Sequence, residues 1–65
     1  MDRKAIGERL KKLRGEKTIR QVAGDVGISY AALSMYEIGQ RLPRPAIMVK
    51  LANYYNTTVE ALFFA

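Results

Sequence analysis

AGDVGISYAALSMYEIG, residues 23–39, decides the fold of this 65-residue chain. Ala23, Gly27 and Leu33 stand in it as A-x3-G-x5-L. Each has a steric duty. A side chain as small as that of Ala23 lets one helix cross beneath the next. Gly27 takes the positive φ that a tight turn requires. Leu33 pins the following helix to a core, and Ser29 caps its start with a hydroxyl. The pattern predicts two helices fixed at roughly 90–120° to one another.

Working outward, every segment reads as helix and none as strand. Ile6, Leu10 and Leu13 share one face of a first helix, at spacings i, i+4, i+7. Gly15 ends it. Thr18 caps the second helix, whose apolar side is Val22, Ala23 and Val26. Gly24, mid-helix, costs about 1 kcal/mol against alanine, and close packing is the expected reason for it. The third helix is predicted to run from Ser29 to Ile38, with Leu33 and Tyr36 on one side. Pro43 and Pro45 stop its continuation, and Pro45 suits the first turn of a fourth helix. That helix turns Met48, Leu51, Ala52 and Tyr55 inward, and Asn56 closes it in the left-handed conformation. Thr57 or Thr58 caps a short fifth helix, Thr57 and Glu60 having capping-box spacing, and Val59 and Leu62 complete the core. The reading is all-α: one domain, residues 1–65, of five short orthogonal helices.

Composition narrows the function. A chain this short buries only about 60% of its unfolded surface. It has no cysteine, so tight helix packing and oligomerisation are the stabilising devices left. With no His and no Cys, the commonest general base, nucleophile and zinc ligands are missing. Its six carboxylates are scattered. No enzyme, metal, cofactor or small-molecule substrate is expected. No secretory leader and no membrane span are legible, which predicts a soluble cytoplasmic protein.

The net charge of +5 points to an anionic partner. Eight of the eleven basic residues lie between Arg3 and Arg20, and the others are Arg41, Arg44 and Lys50. Residues 21–40 carry none. The charge on the first helix reads equally as a solvated surface or as phosphate contact, and Arg3, Lys4 and Lys50 as solvated charge.

Five stretches carry a family resemblance: IGERLKKLR (6–14), QVAGDVGIS (21–29), LSMYEIGQRLPRP (33–45), VKLANYYN (49–56) and VEALF (59–63). They resemble the Cro/CI, or XRE, regulators of phages and mobile elements, with a lambda-repressor-like helix-turn-helix formed by helices 2 and 3. The S-x-[aromatic]-E-x-G run at 34–39 is the most specific part. The resemblance implies double-stranded DNA binding by a homodimer on an inverted-repeat operator, as a transcriptional regulator and probable repressor. It implies base-facing roles for Ser29, Tyr30, Ala31, Ser34 and Met35. Phosphate contacts map to Thr18 and Gln21 at the start of helix 2 and to the loop with Gln40, Arg41 and Arg44. Arg14, Lys17 and Arg20 on one flank, with Arg41 and Arg44 on the other, would grip the two backbone walls. Glu37 has a structural role, ion-paired with a basic neighbour. Two departures stand out. Ile19 replaces the family's glutamine at the start of helix 2, and the recognition face carries no Arg, Gln or Asn.

The bare centre therefore fits a division of labour in which phosphate contacts position and base contacts specify. About four phosphates per subunit imply a salt slope of roughly −7 for a dimer. Phe63 and Phe64 are the candidate dimer interface. One of them joins Leu62 in the core and the other stays exposed. A segment beyond Ala65 that covers Phe64 is the alternative. Tyr36 reads as core, and Tyr54 reads either way. The competing function is a protein-interaction module on the same fold, an antitoxin or anti-repressor partner, with Tyr30 and Met35 on its contact surface.

Overall fold

Short polar side chains set most of the helix starts in the computed structural model, which describes all 65 residues. Asp2 accepts hydrogen bonds from the Lys4 and Ala5 amides and opens α1, Arg3–Arg14. Thr18 accepts from the Gln21 amide at 3.0 Å and opens α2, Ile19–Val26. Ser29 does the same for α3, Tyr30–Glu37, through the Ala32 amide. No side chain caps α4, Pro45–Tyr54, whose first residue has no amide hydrogen to satisfy. The chain closes with a five-residue π-helical segment, Glu60–Phe64. The model contains no strand.

The turn between α2 and α3 is the one the sequence predicts. Gly27 sits at φ 86°, ψ 35°. The amides of Gly27 and Ile28 both return to the Ala23 carbonyl, at 2.9 and 3.0 Å. The left-handed backbone, and not crowding, demands glycine here, since a Cβ would meet nothing within 4 Å. Asn56, at φ 57°, closes α4 as expected.

α3 packs between α1 and α2, and α1 also meets the C-terminal segment. The core joins Ile6 and Leu10, Val22, Ala23 and Val26, Leu33 and Tyr36, Met48, Leu51 and Ala52, and Leu62 and Phe63. The α1–α3 crossing is close. A Cβ on Gly7 would lie 2.8 Å from the Tyr36 carbonyl oxygen and closer still to that of Glu37.

Several expectations need correction. Leu13 is exposed, because the buried face of α1 is centred nearer Gly7 and Arg14. Gly24 is not a packing glycine: a Cβ there would meet nothing. α3 ends at Glu37, with Ile38 as its cap. Thr58, not Thr57, caps the last segment, accepting from the Ala61 amide at 3.0 Å. The paired phenylalanines divide: Phe63 is 2% exposed and Phe64 60%. Phe63 is therefore core and is withdrawn from the expected dimer interface.

Candidate nucleic-acid interface

The sequence of α3 alternates two kinds of face. Leu33, Tyr36 and Glu37 are buried. On the other side Tyr30, Ala31 and Met35 are exposed and Ser34 is half-buried, with exposed Ser29 at the cap. All five residues expected to face bases thus share the solvent side or its rim. The Ser29 oxygen is engaged with the Ala32 amide, which leaves its hydroxyl hydrogen free to donate outward. This face carries no formal charge.

Polar residues surround it. On the α2 flank, Thr18, Arg20 and Gln21 are exposed. The Arg20 guanidinium carbon lies 5.8 Å from the centre of the Tyr30 ring. Ile19 is half-buried against the core, so the position that departs from the family pattern serves packing. On the far flank, Gln40, Arg41 and Arg44 are exposed and hold no ion pair within the chain.

Arg14 was expected to grip phosphate, but its guanidinium is committed internally. Nε donates to Glu37 Oε2 at 2.8 Å and Nη2 to Oε1 at 3.1 Å. Nη1 donates to the Lys17 carbonyl. Glu37 is buried, and its hydrogen bond raises the Arg14 pKa above the ordinary value, against the opposing effect of burial. The expected ion pair of Glu37 is this one. It locks the end of α1 to the end of α3, and so fixes how α3 is presented.

Lys17 is partly engaged as well. Its ammonium donates to the Tyr54 hydroxyl at 3.1 Å and sits 5.1 Å from the centre of that ring. The Tyr54 hydroxyl donates in turn to Asp25 Oδ2 at 2.8 Å. The hydrogen bond to the phenol, and then its charge, raise the Lys17 pKa. Two of the three ammonium hydrogens remain for another acceptor. Tyr54 is thereby a strut between the α1–α2 connection, α2 and α4.

Two participants were not singled out by the sequence. Arg9 donates to the carbonyls of Leu62 and Ala65, at 3.0 and 2.8 Å, and holds the C-terminal segment on α1. Gly7 permits the close α1–α3 approach. A glycine on the apolar side of α1 was the only available signal for the second, and nothing local signals the first.

No three His, Cys, Asp or Glu side chains converge in a way that could hold a metal ion. No helix is long and apolar enough to cross a membrane.

A family model described as helix-turn-helix matches residues 10–62, from the middle of α1 into the C-terminal segment. No curated protein and no solved structure matches the chain. The family match spans most of the chain and contains the whole α2–turn–α3 unit just described. The chain belongs to the Cro/C1-type, or XRE, helix-turn-helix family of DNA-binding regulators.

Proposed function

We propose that this domain binds double-stranded DNA sequence-specifically, as a transcriptional repressor, with α3 in the major groove. One observation carries the reading: an exposed, uncharged face of short or slender side chains on α3, rimmed by exposed polar and cationic groups. A helix enters the groove closely only if its outer side chains let base edges approach. Ala31 and Met35 suit thymine methyl groups, and Ser34 suits several bases. Lys17, Thr18 and Gln21 would meet one phosphate wall, and Gln40, Arg41 and Arg44 the other. Occupying an operator is enough to block a promoter, which favours repression.

The operator would be an inverted repeat bound by a homodimer, with half-sites about one helical turn, ~34 Å, apart. Phe64 is the interface candidate, exposed beside Met1. Sedimentation equilibrium at micromolar concentration should show a dimer, and monomer alone would contradict that part.

The direct test is fluorescence anisotropy with random and selected duplexes across a salt series. With Arg14 engaged elsewhere, Lys17, Arg41 and Arg44 would neutralise about three phosphates per subunit, a slope of roughly −5 for a dimer. Arg41→Ala and Arg44→Ala should weaken binding to all sequences alike, whereas changes at Ser34 or Met35 should move the preferred site. A slope near zero, or the reverse mutational pattern, would refute the assignment. Absence of binding at low salt would favour a protein-interaction module, for which the exposed Tyr30, Met35, Ile38 and Leu42 provide apolar surface.

A further inference from the structure

We propose that Arg20, carried by α2, reads a guanine edge with its guanidinium stacked on Tyr30 of α3. This inference rests on the groove reading of α3. It supplies what that face lacks: Ser29, Tyr30, Ala31, Ser34 and Met35 include no side chain that makes a two-pronged hydrogen bond to a base.

Geometry selects Arg20 for that role. It is the second residue of α2, and Tyr30 is the first of α3. The Gly27 turn brings the two together, with the guanidinium carbon 5.8 Å from the ring centre. In helix-turn-helix docking the first residues of the recognition helix meet base edges. A cation resting on the ring of Tyr30 is therefore beside the bases.

Competing partners within the protein are occupied. The carboxylate of α2, Asp25, receives the Tyr54 hydroxyl. The carboxylate of α3, Glu37, receives Arg14. Arg20 forms no ion pair. What orients it is the ring.

Stacking uses the flat face of a guanidinium and leaves its edge free. Guanine offers O6 and N7 side by side in the major groove, the acceptor spacing that this edge matches. A phosphate contact would need only a positive charge and no aromatic support. The stack is thus the feature that separates a base reader from one more cation on the rim.

Selection of bound duplexes from a random pool tests this, using the wild type, Arg20→Lys, Arg20→Ala, Tyr30→Phe and Tyr30→Ala. Both positions are exposed, and thermal melts confirm that each variant folds. The wild type should require a G·C pair at one position of each half-site. Arg20→Lys keeps the charge and loses the fork. It should reduce that preference about 5- to 150-fold, leaving other positions and the salt slope unchanged. Tyr30→Phe keeps the ring and should retain the preference, and Tyr30→Ala should weaken it.

Three results would overturn the proposal. Arg20→Ala could weaken all sequences equally and flatten the salt slope by about one per subunit, with Arg20→Lys restoring both, which marks a phosphate contact. Tyr30→Ala could leave the G·C preference intact. The wild type could select sites with no position that depends on residue 20. Each leaves groove binding by α3 standing. A wild type that binds no DNA at low salt removes both readings at once.

Discussion

Gly7 and Gly24 are both helical glycines, and they should respond to the same substitution in opposite directions. A methyl group at Gly24 enters open space and removes backbone freedom from the unfolded chain. Gly24→Ala should stabilise by about 0.5–1 kcal/mol. In a domain this small that is a rise in melting temperature of roughly 2–8 °C. A methyl group at Gly7 meets backbone carbonyls of α3, which cannot turn aside as a side chain would. Gly7→Ala should cost about 1–3 kcal/mol, and calorimetry on both variants checks the contrast. Tyr55 gives a second test at this scale. Its hydroxyl is buried without a hydrogen-bond partner, and burial pushes its pKa up to about 12. Tyr55→Phe should stabilise by about 1 kcal/mol at neutral pH. The folded phenol holds its proton more tightly than the unfolded one, whose pKa is about 10. That contribution is complete below pH 10 and is lost as pH rises through about 12. Urea midpoints should therefore show the gap between variant and wild type widening above pH 10.

At the scale of the elements, α3 is held by the Arg14–Glu37 pair as well as by Leu33 and Tyr36. Arg14→Ala would strand a carboxylate that is only 4% exposed, at a cost on the order of 3–5 kcal/mol. A domain of this length has a total stability of only about 3–10 kcal/mol. Urea denaturation should show the variant largely unfolded or nearly so, with Glu37→Gln milder. A loss below about 0.5 kcal/mol would mean that the pair behaves as an exposed one. The helix starts at Thr18 and Ser29, the Gly27 turn and the inward residues of α2 and α4 were legible because each is decided by local chemistry. The face of α1 was not. At about 100° per residue, Gly7, Leu10 and Arg14 fall about 100°, 40° and 80° round from Ile6, and Leu13 falls about 20° on the other side. Counting apolar residues put Leu13 in the stripe. Gly7 is apolar only by lacking a side chain, and Arg14 is buried only through its partner. The last segment misled for a related reason: its π-helical winding lets neighbouring Leu62 and Phe63 both face the core.

For the whole molecule, the sequence shows where charge lies and not what it is spent on. Arg9, Arg14 and Lys17 look alike in a basic run. Their partners Leu62, Glu37 and Tyr54 lie 53, 23 and 37 residues away. Those pairings are products of the assembled fold, so no local pattern announces them. They take Arg14 off the rim and hold Lys17 in place, leaving Arg20, Arg41 and Arg44 as the rim arginines without an ion pair. The uncharged centre was legible, since it is a property of residues 21–40 alone. The central claim is that this bare face of α3 is what DNA meets. Amide chemical-shift mapping, on addition of a duplex chosen from the selected pool, tests it most directly. The account predicts the largest changes from Ser29 to Met35 and from Gln40 to Arg44, with little change at Val49 and Lys50 on the outside of α4. Changes confined to α4 and Phe64, with α3 silent, would contradict it.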